Sequence, residues 1–309
     1  MSSLTCKVIA GTHKDLVYLN IGETNPTSAD IKSIIMSCEE LEVLKLSSLE
    51  AVTDLALSRL ADELPVDDVD EPTGPLRRLR SLKLRHTTIT GSVVASLLAR
   101  LPLLERLDVS FVPIAGIPLE ITSPLTNLVK FSLSSTPVEA RRLLPVLELM
   151  PNLRILNIGS LGAHARTAAG FTIGGRQSTS MTGMRTLNDA TLYAMTDILR
   201  KMPNLETVSL AGNSSLGLGK EGAIRYFLRN VGRRLKTLNL SWTPNLRSDD
   251  LDGLIQQEEN GQPCTLVKLI LTGCNIDDHA AVYIAACSEL TFLDLENTKI
   301  SGQFSSSRA

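Results

Sequence analysis

The sequence predicts an α/β solenoid. Short parallel strands should lie side by side along a concave wall, with helices and irregular segments on the convex side, giving a horseshoe of near-equal layers. Three observations predict it. The stretch Leu266 to Ile276, Leu-Val-Lys-Leu-Ile-Leu-Thr-Gly-Cys-Asn-Ile, fits an eleven-residue frame L-x-x-L-x-L-x-x-N/C-x-L at every fixed position. The same frame reopens at Leu16, Leu41, Leu79, Leu104, Leu128, Leu153, Leu205, Leu235 and Leu290, so ten copies cover nearly the whole chain. The residues are 43% apolar but only 4% aromatic, as expected where leucine fills one layer after another.

Length and charge narrow the class. At 309 residues the size prior suggests two domains, but a stack of repeats can share one continuous core, so a single domain over 1–300 with a polar tail at 301–309 is expected. With 31 basic against 33 acidic residues, the formal charge of −2 argues against general nucleic-acid binding. Five cysteines, Cys6, Cys38, Cys264, Cys274 and Cys287, form no disulfide framework and point to a reducing compartment, cytoplasmic or nuclear. The first residues lack the apolar run of a signal peptide, and no stretch approaches a membrane span.

The elements follow in order. Leu16, Leu19 and Ile21 predict the first strand, and Ile31, Ile34 and Ile35 predict a helix over 28–37. Leu41, Leu44 and Leu46 give the second strand, with Leu55, Leu57, Leu60 and Leu64 on its helix. Thirty-eight residues separate Leu41 from Leu79, and the surplus at 65–75 is acidic and proline-bounded, a surface insertion. Pro113, Pro118 and Pro124 exclude a full helix after the fourth strand, while 138–150 reads as a helix interrupted by Pro145. Fifty-two residues separate Leu153 from Leu205. Much of that excess, 162–186, is a Gly/Ser/Thr-rich basic insertion carrying Arg166, Arg176 and Arg185, candidate partner contacts. Asn188 caps a helix over 188–202. Later outer helices are predicted at 222–234, 248–257 and 277–287, the last capped by Asp277 or Asp278. Neither end shows an obvious polar cap, so a partner or neighbouring copy is expected to cover the terminal repeats.

The frame Leu266 to Cys287, with Cys274 at its ninth position and Cys287 at the helix end, resembles the cysteine-containing leucine-rich repeats of F-box proteins and ribonuclease-inhibitor-like arrays. The resemblance implies a leucine-rich-repeat solenoid acting as adaptor or substrate receptor, in ubiquitin-ligase work. No F-box-like segment precedes Leu16. Alternatives are a GTPase-activating protein of the Ran-activating type, although the acidic tail of that type is absent, and a structural assembly factor of a larger complex.

Position nine holds Thr24, Thr87, Thr136, Thr243 and Thr298, with Asn213 and Cys274, short polar groups able to bond backbone where the chain turns between layers. Leu49, Val112 and Leu161 break that ladder, so repeats two, four and six are expected to turn differently. The cysteines and His279 lack zinc spacing, and the run Gly212 to Lys220 fails the phosphate-loop pattern because Ser214 stands where glycine is needed and Glu221 follows the lysine. No catalytic constellation, metal site or cofactor site is read; the expectation is a non-enzymatic binding module.

Positions three, five and seven of each frame point away from the leucines. They place Lys45, Lys83, Arg85, Arg106 and Lys130 together as one basic patch, interrupted by Asp108 and flanked by His86 and Phe111. The later repeats contribute Asn239, Ser241 and Trp242 to the same face. A protein partner that is acidic or phosphorylated fits this surface, with Phe111 or Trp242 as apolar anchor.

Overall fold

The computed structural model describes residues 2–62, 75–116, 124–162, 186–219, 222–255 and 263–302. The acidic insertion at 65–74 and the basic segment 163–185, with Arg166, Arg176 and Arg185, lie outside these. Two compact units are distinguished. One comprises 1–138, 145–153 and 164–167; the other comprises 139–144, 154–163 and 168–309.

In the first unit five three-residue strands run parallel in chain order: β1 (Tyr18–Asn20), β2 (Val43–Lys45), β3 (Ser81–Lys83), β4 (Arg106–Asp108) and β5 (Lys130–Ser132). Their middle residues form one register row, Leu19, Leu44, Leu82, Leu107 and Phe131. All five are buried. The second unit repeats the arrangement with β6 (Ile155–Asn157), β7 (Thr207–Ser209), β8 (Thr237–Asn239), β9 (Lys268–Ile270) and β10 (Phe292–Asp294). Its row is Leu156, Val208, Leu238, Leu269 and Leu293. Only Leu293 of these is exposed, at 40%, where the described strands end. Alternation with period two therefore puts leucine inward and leaves the flanking positions on an open face.

The outer segments are α1 (Ser3–Thr12), α2 (Ser28–Ser37), α3 (Asp54–Asp62), α4 (Gly91–Arg100), α5 (Ala140–Glu148), α6 (Asp189–Leu199), α7 (Ala223–Asn230) and α8 (Ala280–Ala285), with 3₁₀ turns at Gly232–Arg234 and Ser248–Leu254. Several match their sequence signals closely. α2 starts at a capping box in which Thr27 accepts from the Asp30 N–H and Asp30 accepts from the Thr27 N–H. The Asn188 side chain accepts from Thr191 N at 3.0 Å. Pro145 sits inside α5, which is shorter than the 138–150 pattern suggested.

Two expectations need correction, and one is made specific. The first repeat is covered: α1 packs on α2, buries Cys6 and Ala10, and joins α2 through Ser3 Oγ–H to Asp30 Oδ1 at 2.8 Å. Its pattern was faint because Leu4 and Val8 face solvent, 72% and 51% exposed. Of Asp277 and Asp278 it is Asp277 that supplies the bond at the start of α8: its Oδ1 accepts from His279 N at 3.1 Å and from Ser248 Oγ at 2.6 Å, while Asp278 accepts from Ser301. The outer segment at 248–257 is a 3₁₀ turn over Ser248–Leu254 rather than an α-helix.

The expectation that repeats two, four and six turn differently also fails. Position eight is left-handed in all ten frames: Glu23, Ser48, His86, Phe111, Ser135, Ser160, Gly212, Trp242, Gly273 and Asn297 all have φ between 50° and 71°. That conformation turns the position-eight N–H onto the position-seven carbonyl of the next layer, as in Ser48 N to Arg85 O at 2.8 Å and Trp242 N to Thr272 O at 2.7 Å. The turn is thus made by backbone, and Leu49, Val112 and Leu161 simply bury as apolar residues. Position nine closes the turn at Thr24, Thr87, Thr136, Asn213 and Thr298, whereas the buried Thr243 hydroxyl makes no such bond. Thr87 Oγ1 donates to Leu84 O and Thr136 Oγ1 to Leu133 O, both at 2.7 Å. Asn213 serves two layers, donating to Leu210 O and Ile158 O while accepting from Leu161 N, so it makes good the missing polar group of repeat six.

Candidate functional site

On the strand face of the first unit, register decides which cations are neighbours. Lys45 pairs across to Lys83, and Arg106 to Lys130, so the basic residues form two short rows. Adjacent parallel strands are about 4.8 Å apart. Lys83 is also opposite Asp108. Asp108 interrupts the patch for a structural reason: its Oδ1 accepts from Ser110 N at 3.1 Å. The same side chain-to-backbone bond recurs at position five in Asn20 to Gly22, Asn239 to Ser241 and Asp294 to Glu296.

Arg85 leaves the lysine rows and leans toward position eight. Its Nε is 3.9 Å from Asp108 Oδ2, and its guanidinium lies 5.2 Å from the Phe111 ring centroid. His86 stacks on Phe111 with centroids 4.4 Å apart and planes 14° apart. Bulky residues in left-handed backbone carry a cost of about 1 kcal/mol. The fold accepts it at both ends of this stack, His86 with φ 54° and Phe111 with φ 62°. Beside the stack, Asn20, Glu23, Lys45, Lys83, Arg85 and His86 line an open depression of about 510 Å³. Sequence reasoning missed Glu23, which holds position eight of the first frame as His86 and Phe111 hold it in theirs.

The cations differ in what they already hold. Lys45 Nζ donates to Tyr18 Oη at 2.6 Å and lies over that ring. Arg106 has Glu105 at 3.9 Å, but that carboxylate is already engaged by Arg80 at 2.5 Å. Among the described residues, Lys83 and Lys130 have no carboxylate within ion-pair distance. Across positions three, five, seven and eight, the first unit presents five cations against the carboxylates of Glu23 and Asp108.

The second unit presents a different face. Asn239 Oδ1 accepts from both Ser241 N and Ser241 Oγ, at 2.9 and 2.6 Å, so these two candidates are occupied with each other and Ser241 is buried. Trp242 is 59% exposed, and its ring lies against Gly273, where an added Cβ would come within 2.6 Å of it. Lys268 sits over Phe292, 4.1 Å from the centroid. Two cations just ahead of this unit's strands share one carboxylate: Glu206 accepts from Arg154 at 2.8 Å and Lys236 at 3.2 Å, and those bonds hold its carboxyl below the usual range.

The glycine run after β7 is a turn already filled by protein. Asp189 accepts from Gly217 N at 2.7 Å and Gly219 N at 2.5 Å, taking backbone donors that a phosphate would need. All five cysteines are free and buried. Burial pushes the Cys274 thiol up to about 11, and it donates to Leu240 O at 3.1 Å. Among the described residues, no three His, Cys, Asp or Glu converge to hold a metal ion, and no helix is long and apolar enough to cross a membrane.

The Leucine Rich repeat family pattern matches residues 262–285, one layer of the ten. No curated protein matches the chain. Among solved structures, the chain is similar to an internalin from Listeria monocytogenes at 14% identity and TM-score 0.46, with 97% of this chain and 89% of that one covered. It is also similar to the leucine-rich repeat-containing protein LegL7 from Legionella pneumophila at 12% identity and TM-score 0.48, with 93% and 85% covered. A third likeness is to TLR13 in its complex with ssRNA13, at 18% identity and TM-score 0.46; 93% of this chain is covered, but only 40% of that one.

Proposed function

We propose that this chain, whose three-residue strands alternate with outer helices and 3₁₀ turns in the α/β leucine-rich-repeat manner, is a non-catalytic protein-interaction module and that the strand face of its first unit captures an acidic partner. One observation carries the reading: Lys83 and Lys130 stand beside Lys45 and Arg106 on neighbouring strands without carboxylate partners among the described residues. Like charges held side by side repel, and a complementary anion relieves that repulsion. The Arg85–His86–Phe111 stack supplies an aromatic edge next to the charge, suited to an apolar side chain flanking acidic or phosphorylated residues. An adaptor or substrate-receptor role in a ubiquitin ligase is the form this reading takes from the sequence resemblance, and copurification with the ligase's adaptor subunit tests it.

The binding claim is tested by fluorescence anisotropy with a Glu/Asp-rich peptide, with and without phosphoserine, and a single-stranded RNA of equal charge as competitor. The triple variant Lys83→Glu, Arg106→Glu, Lys130→Glu should weaken peptide binding at least about tenfold, roughly 1.4 kcal/mol, with an unchanged far-UV spectrum. Lys268→Glu, on the second unit's face, should leave it unaltered. Equal binding by the triple variant would remove this surface as the site, and preference for RNA would replace the partner class.

A further inference from the structure

Cys287 stands three residues before its frame leucine, a position elsewhere filled by the buried Cys38, Leu76, Leu101, Met150 and Met202. The frame therefore explains Cys287. It does not explain Cys264. That residue stands two before Leu266, where the other nine repeats carry Lys14, Glu39, Arg77, Pro102 and further residues that are exposed or half-buried. Cys264 is only 2% exposed, and its Sγ lies 2.8 Å from Cys287 Sγ. That separation falls between the bonded S–S distance of about 2.05 Å and ordinary non-bonded contact at about 3.5–4 Å.

We propose that Cys264 and Cys287 are a redox modification site, a thiol pair that a peroxide converts reversibly to a disulfide. Three further features support it. The hydrogen bond between the two sulfurs lowers the Cys264 pKa, while the same bond and burial raise that of Cys287. Arg233 adds a favourable charge for the Cys264 thiolate. Cys264 also lines an open depression of about 780 Å³, together with Arg234, Lys236 and Glu289.

The chemistry closes with one equivalent of hydroperoxide. The Cys264 thiolate attacks a peroxide oxygen, the O–O bond breaks, and Cys264 sulfenic acid forms with loss of hydroxide. The Cys287 sulfur then attacks the Cys264 sulfur and its proton leaves with the displaced hydroxyl as water. Two thiols have lost two electrons and one hydrogen peroxide has become two waters. The bridge joins the residue leading into β9 to the one beyond α8, closing repeat nine on itself.

The test uses the full-length wild-type chain treated with hydrogen peroxide, quenched, and its free thiols counted in denaturant. The count should fall from five to three, proteolysis should yield one linked peptide pair containing Cys264 and Cys287, and dithiothreitol should restore all five. Cys274→Ser should leave that link unchanged. Cys287→Ser should halt Cys264 at sulfenic acid, captured by dimedone. Five persisting thiols, a link through any other cysteine, or loss that dithiothreitol does not reverse would overturn the proposal.

Discussion

The strand faces of the two units are built on one frame and differ in what the frame presents. Both have a buried middle residue on every strand but the last, both bend at a left-handed position eight, and both use a polar position nine to hold the turn. The first unit covers that scaffold with five cations against two carboxylates, two of the cations without acidic partners among the described residues. The second covers it with Thr207, Ser209, Thr237 and Asn239, one lysine seated on Phe292, and an Asn239–Ser241 pair bonded internally. Scaffold and surface are thus set by different positions of the frame. A binding surface can therefore change while the fold stays the same.

Variants matched across the two units separate what the frame sets from what its surface sets. The largest effect should come at position nine. Asn213→Ala removes three buried hydrogen bonds shared by two layers and should cost about 3 kcal/mol in urea unfolding, against about 1 kcal/mol for Thr136→Ala, which removes one. Equal losses would show that Asn213 does not compensate for Leu161. A smaller change of opposite sign is expected at position eight. Ser135→Gly and Ser160→Gly relieve left-handed strain at φ 55° and 50°, and each should raise stability by about 0.5–1 kcal/mol, alike in both units. Loss of stability at either would remove the shared turn from the account.

The smallest effect concerns acid. Hydrogen bonds from Thr27 hold Asp30 in the first unit below the usual carboxylate range, as bonds from Arg154 and Lys236 hold Glu206 in the second. Because the folded pKa is depressed, this stabilisation is present above the unfolded value, near 4, and is lost as pH falls through the folded one. Asp30→Asn and Glu206→Gln should each lower Tm at neutral pH and flatten its decline below about pH 4. A decline as steep as wild type would show that these bonds do not set the acid limit.

The leucine frame made the strands legible residue by residue, because a period-two core position admits few alternatives. α2 was equally legible from Ile31, Ile34 and Ile35. α1 was not, since only Cys6 and Ala10 turn inward and neither is a strong signal. At the site, the identities of Lys45, Lys83, Arg106 and Lys130 could be read from position, but their neighbours required register. That Asp108 belongs to the turn, that Arg85 leans onto Phe111, and that Asn239 and Ser241 bind each other depend on side-chain geometry the frame does not encode. The left-handed position eight was hidden because serine, glutamate, tryptophan and glycine all occupy it, so residue type carries no signal of the conformation.

If one of two like-built faces is the binding face, hydrogen–deuterium exchange of the full chain with a bound acidic phosphopeptide will show it. Slowed exchange is expected over 81–86, 106–111 and 130–135, with 207–212 and 237–242 unchanged. Protection confined to the second unit's strands would contradict it.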